Sequence, residues 1–204
     1  MSLIKEVIPN VQVPCGVCGN YRIERKEVKT TSLDRTMSMM KNNGRYVPDG
    51  EYTFLYRENT LVMSDTPDEK RDHYKAVYNA KGRCLIAGLG IGMVLNAIAQ
   101  KEEVTHIDVV ELSSEVIQLV APYYIKLYPN KITFHNDSIF DWKPEKNVKY
   151  DMAWFDIWDN LCIDNLEEMS KLHRKFGKTA KWKGSWGKEL LQYERAREKN
   201  RYWR

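Results

Sequence analysis

No apolar run in these 204 residues reaches the roughly 18 needed to span a bilayer, and the N-terminus has no charged-then-apolar leader pattern. A cytoplasmic protein with no membrane partner is therefore expected. Cysteine is also scarce: four are present, too few and too scattered for a disulfide framework. Cys84, in an apolar run, and Cys162, at a helix start, read as small buried hydrophobes. Cys15 and Cys18, in PCGVCGN, have the spacing of half a zinc site. A structural zinc takes four ligands and no second C-x-x-C follows, so His73, His135 or another copy of the chain would have to complete the set, and no metal is assigned. A redox pair would need a helix after the motif, which this segment lacks.

Strong charge of one sign is missing too, the net charge being +4. The positive excess gathers after position 170, where twelve Lys and Arg stand against three Glu. Interleaved Trp182, Trp186, Tyr193, Tyr202 and Trp203 could add base stacking to phosphate contacts. A solvated helix face with a frayed tail is the plainer account.

The most informative stretch is 82–112, GRCLIAGLGIGMVLNAIAQKEEVTHIDVVEL. Cys84 to Ala87 form a short apolar strand, Gly88, Gly90 and Gly92 a turn open to close approach by a ligand, and Met93 to Gln100 a helix. Val104 to Val110 form a second strand, and Glu111, with Leu112 after it, stands where an acid would hold a ribose diol. A dinucleotide fingerprint, G-x-G-x-x-G, needs a small residue at 93, and Met93 occupies it. That favours an adenosyl-sulfonium ligand over a nicotinamide or flavin dinucleotide. A tight turn that binds nothing is the alternative.

The elements alternate along the chain. Residues 1–65 read as a small β-rich, hairpin-like extension: Tyr21 to Val28 alternates, EYTFLYRENTLVMS folds back around Glu58 and Asn59, and a short helix is expected near Met37, Met39 and Met40, before the Asn42-Asn43-Gly44 turn. Thr66-Pro67-Asp68-Glu69 predicts a capping box and a helix to about Asn79. After Glu111, Ser113 caps a helix through Tyr124, and Lys131 to His135 forms a strand closed by Asn136, Asp137 and Ser138. Tyr150 to Phe155 forms another strand, ending on Asp156-Ile157-Trp158-Asp159. A helix then carries Leu166, Met169, Leu172 and Phe176 on one face and stops at Gly177; a fifth strand is expected over Lys178 to Trp186. Residues 66–204 are thus expected to be a doubly wound, mostly parallel α/β domain, with its ligand beyond the carboxyl ends of the strands. The glycine turn, Glu111, Asp137 with Ser138, and Asp156 with Asp159 all fall at those ends.

Over residues 66–160 this pattern resembles the class I S-adenosylmethionine-dependent methyltransferases, and within them the spermidine synthase-like proteins. WFDIW and KLHRKFG have counterparts among such proteins of bacteria and phages. The resemblance implies a Rossmann-like methyltransferase sheet, and S-adenosylmethionine or its decarboxylated analogue as cofactor. Gly88, Gly90 and Gly92 would lie against its methionine part, Glu111 at the ribose, and Asp137 with Ser138 at the adenine, with Leu112 also among the cofactor-binding residues. Asp68-Glu69 and Asp156/Asp159 stand where the group has a D-E pair and a D-x-x-D. The acceptor would be a small molecule, an amine among the candidates, and the chain could form a homodimer. Three departures stand out: Ile91 replaces the acid of the aminopropyltransferase turn, Asn160 replaces a proline, and the 48 residues after Asp156 make the domain C-terminally shortened. Asp156, then Asp159, would orient an amine and accept its proton; alternatively Asp156 caps a helix or binds cofactor without chemistry. A non-catalytic adenosyl-binding or assembly module is the competing class. A nucleic-acid methyltransferase is the third, although FDIWDN is not the Asn/Asp-Pro-Pro-Tyr/Phe motif of the amino-methylating kind.

Overall fold

The structure is a computed structural model that describes residues 7–33, 36–37 and 47–201. Four strands, β1 (Gly16–Cys18), β2 (Tyr21–Val28), β3 (Gly50–Arg57) and β4 (Thr60–Ser64), form an antiparallel sheet in chain order. It is larger than the hairpin expected, because Gly16–Cys18 pairs back onto Tyr21–Ile23. Met39, Met40 and the Asn42–Gly44 turn lie outside the described residues.

Helix α1 (Pro67–Asn79) leads into a second sheet, built from β5 (Gly82–Ala87), α2 (Met93–Ala99), β6 (Val104–Glu111), α3 (Ser114–Leu127), β7 (Ile132–Asn136), β8 (Tyr150–Phe155), α4 (Asn165–Lys175), β9 (Ala180–Ser185) and α5 (Lys188–Arg201). Its strand order is β7-β6-β5-β8-β9, and every pairing is parallel. The fold is the doubly wound, Rossmann-like α/β arrangement expected. The order reverses between β5 and β8, where a crevice opens at the carboxyl ends.

Strand periodicity sorts the core into two layers. Cys84, Ile86, Ile107, Val109, Met152 and Trp154 face a layer built with Ala76 and Val77 of α1, Leu95 and Ile98 of α2, Val116, Val120 and Tyr124 of α3, and Ile23 and Leu55 of the N-terminal sheet. Leu85, Ala87, Ala153 and Phe155 face Leu172 and Phe176 beyond them, with Ile139 and Trp142. Burying each Val, Leu, Ile, Met or Phe among them contributes roughly 1.5–3 kcal/mol. The lysine-rich fifth strand is tolerated because β9 is an edge strand: Lys181 reaches Asp151 (2.6 Å) and Lys183 the Ala180 carbonyl (2.6 Å).

Two local expectations are corrected. Thr66 is the N-cap of α1, but its hydroxyl pairs with Ser64 Oγ (3.0 Å), and Glu69 accepts from the Ser64 N–H (3.2 Å) and hydroxyl (2.9 Å), so the reciprocal capping box does not form. Cys162 is exposed, in the loop before α4, where its N–H donates to Asn165 Oδ1. Cys84 is buried, which pushes its thiol up to about 12. Ser113 caps α3 as expected, accepting from the Val116 N–H (3.2 Å). Among the described residues, no helix is long and apolar enough to cross a membrane, and no group of three His, Cys, Asp or Glu could hold a metal.

Candidate active site

A cavity of about 410 Å³ lies at the carboxyl edge of the parallel sheet and is walled on one side by the N-terminal sheet. Its floor is the turn after β5. At Gly88 (φ +90°) the backbone is one that L side chains rarely adopt, and a Cβ would overlap the Asp156 carbonyl oxygen. The Asp156 N–H in turn donates to the Ala87 carbonyl (2.8 Å), so the ends of β5 and β8 are locked together at the sheet's reversal point. Gly88 and Gly90 line the cavity; Gly92 does not. A Cβ at Gly92 would enter the buried ring of Tyr124, whose hydroxyl donates to the Ile91 carbonyl (3.1 Å). Gly92 therefore serves packing beneath the turn. Ile91 is also fully buried, so the position that carries an acid in aminopropyltransferases does not reach the cavity.

Glu111 bridges two walls: Oε2 accepts from the Leu89 N–H (2.7 Å) and Oε1 from the Ser113 N–H (2.8 Å). Each oxygen keeps a lone pair for a further donor. Leu112 beside it is 74% exposed. Asp137 and Ser138 follow β7, with Asp137 Oδ1 accepting from the Ser138 N–H (2.7 Å). Phe140, exposed at the same rim, and Leu112 are two large apolar side chains whose surface a flat ligand would cover.

Asp156 follows β8, and its side chain is 15% exposed. Burial, with the carboxylates of Glu69, Asp72 and Glu111 adding to it, pushes this acid up to about 8. Asp159 lies further out and pairs with Arg57 of β3 (2.5 Å). The sequence reading named Gly88, Gly90, Glu111, Leu112, Asp137, Ser138, Asp156 and Asp159, and all eight line one cavity. It missed Arg57, Tyr21, Leu55, Val62 and Met63 from the N-terminal sheet, His73 of α1, Trp186, and Trp158 with Glu168, the last two joined by a 2.7 Å hydrogen bond. Only Trp158, inside the D-x-x-D stretch, had a local signal.

The lining charges are lopsided. Glu69, Glu111, Asp137, Asp156, Asp159 and Glu168 are acids, and Arg57 is the one guanidinium among the lining residues. The pairing with Asp159 raises its affinity for a proton further, so it stays charged and engaged.

No family model and no curated protein matches the chain. Among solved structures it is similar to the N-methyltransferase NodS from Bradyrhizobium japonicum (13% identity, 57% of this chain and 64% of that one, TM-score 0.44). It is also similar to the CcbJ methyltransferase from Streptomyces caelestis (16%, 54% and 43%, TM-score 0.42) and to the plantazolicin methyltransferase BpumL in complex with SAH (16%, 53% and 41%, TM-score 0.39). For CcbJ and BpumL the chain spans about two fifths of the other protein's length.

Proposed function

We propose that this chain binds S-adenosylmethionine, or its decarboxylated analogue, and transfers a group from it to a small amine, as spermidine synthase-like transferases and methyltransferases do. The observation that carries this reading is the convergence of Gly88, Gly90, Glu111, Asp137, Ser138 and Asp156 on one cavity at the sheet's reversal point. The donor set suits the ligand. The backbone of Gly88 and Gly90 borders the cavity where the methionine part would lie, the free lone pairs of Glu111 suit the ribose hydroxyls, Asp137 with Ser138 suits an amino-purine edge, and Leu112 and Phe140 offer apolar faces to its ring. A volume of about 410 Å³ falls within the usual range for small-molecule sites.

When bound, such a cofactor supplies a carbon already activated by its neighbouring sulfonium. The remaining tasks, positioning and proton removal, belong to the protein. Asp156 is placed to orient an amine and take its proton, and a carboxyl poised near 8 holds that proton better than an ordinary aspartate. With Asp156 largely protonated at neutral pH, the other five lining acids against one engaged guanidinium still attract cationic ligands and repel a polyanion. That disfavours nucleic acid as the acceptor, whatever the charge of α5.

Calorimetry with S-adenosylmethionine, decarboxylated S-adenosylmethionine and methylthioadenosine tests the cofactor, and turnover on a panel of amines, proteins and nucleic acids tests the transfer. The reading expects micromolar binding of at least one adenosyl ligand, lost in Glu111→Ala, and turnover on an amine that Asp156→Asn abolishes. Binding without turnover on any acceptor would leave the non-catalytic module instead. No binding to any of the three would remove both.

A further inference from the structure

One buried titratable side chain at the site is unaccounted for by the base role of Asp156. His73 lies one turn beyond Glu69 on α1, and its side chain is 2% exposed. Its Nε2 stands 3.6 Å from Asp156 Oδ2, whereas Nδ1 is buried with no hydrogen-bonding partner. The Trp154 ring meets the imidazole edge-on at 5.8 Å. Leaving a buried N–H without an acceptor costs roughly 1–3 kcal/mol. The neutral ring therefore keeps its proton on Nε2, the nitrogen that faces the carboxyl group, and its lone pair on Nδ1.

We propose that His73 is the positioning residue of Asp156: its Nε2–H is aimed at Oδ2 and steadies the ionised carboxylate in the form that accepts the acceptor's proton. The inference rests on the reading of Asp156 as the base. A 3.6 Å separation is long for a hydrogen bond, and contacts of this kind tighten when substrate is bound. The charged groups around Asp156 are Glu69 and Asp72 from α1 and Glu111 from β6, all acidic, and Asp72 is the one that acts on His73. Burial pushes His73 down to about 4 in spite of Asp72, so at neutral pH it is an uncharged donor. With three carboxylates pressing on Asp156, this N–H is the group on hand to favour its charged form. The proton balance is simple. The proton leaving the acceptor nitrogen ends on Asp156, and the imidazole keeps its own proton and stays neutral throughout.

The test is nitrogen-15 NMR of the whole chain with labelled histidine, His73 being identified among the four histidines by the signals lost in His73→Gln. The expected result is the Nε2–H tautomer at about pH 9, with both ring nitrogens inflecting over about pH 7–9 as Asp156 titrates, and no inflection in Asp156→Asn. An Nδ1–H tautomer at that pH, the absence of an inflection in the wild type, or one that survives in Asp156→Asn would overturn the proposal. This readout needs no turnover, so it fails or succeeds separately from the transferase reading. In a turnover assay, His73→Phe should move the acid limb of kcat up by about one pH unit and lower kcat about tenfold with KM within about twofold, and His73→Gln, which keeps an N–H donor, should recover most of both. An unchanged pH profile in His73→Phe also overturns it.

Discussion

A methyl group at position 88 has nowhere to go, because the Asp156 carbonyl oxygen already fills the place and the φ of +90° suits only glycine. Gly88→Ala should destabilise the fold by about 3 kcal/mol or more, read as a fall in thermal midpoint, since strained backbone and a steric clash add. Asp156 itself works against stability. Its carboxyl ionises near 4 in an unfolded chain and near 8 in the folded one, so the unfolded state gives up its proton first and stability is lost as the pH rises from about 4 to about 8. Asp156→Asn removes that loss. Its melting temperature should exceed the wild type's by more at pH 9 than at pH 5, while turnover falls at least about a hundredfold. Both residues were legible in the sequence, Gly88 by its turn and Asp156 by its strand end. His73 was not, because one polar residue in a helix as polar as PDEKRDHYKAVYN gives no sign of which way it points.

Among the elements, the strands and helices of the parallel sheet were the most readable, since apolar runs, caps and glycine turns agree with one another there. What could not be read was how loops are fastened. Lys175, at the end of α4, donates to the carbonyls of Ile139 (2.8 Å), Phe140 (2.7 Å) and Trp142 (2.6 Å), and burial lowers its affinity for its proton. It pins the segment that brings Ser138, Ile139 and Phe140 to the cavity. In the sequence it is one more lysine in a basic stretch. Lys175→Met leaves three carbonyls short of a donor and should cost about 1–3 kcal/mol of stability. The same variant should weaken adenosyl-ligand binding several-fold by calorimetry, with the glycine turn untouched. The misplaced capping box has a related cause: a box would turn Glu69 back to the Thr66 N–H, and β4 delivers the N–H and hydroxyl of Ser64 to the same carboxylate.

At the scale of the molecule, the N-terminal sheet is part of the site rather than an ornament to it. Arg57 and Asp159 are 102 residues apart in the chain and meet across the cavity mouth, a pairing no local pattern reveals. Arg57→Ala should change global stability by less than about 1 kcal/mol, because both partners are nearly half exposed. It also frees Asp159 and removes the one guanidinium from the lining, so affinity for a diamine probe should rise up to about fivefold and affinity for ligands bearing a carboxylate should fall, both measurable by calorimetry.

Met63 carries this joint construction to the glycine turn. Its sulfur lies against Gly90, so any side chain at 90 would run into the N-terminal sheet. Position 90 is held to glycine twice, by its φ of +51° and by the Met63 sulfur that fills the place of a Cβ. A shorter residue at 63 would relieve the contact and leave the backbone strain at 90, so a change in the N-terminal sheet alone does not free the glycine turn to carry a side chain.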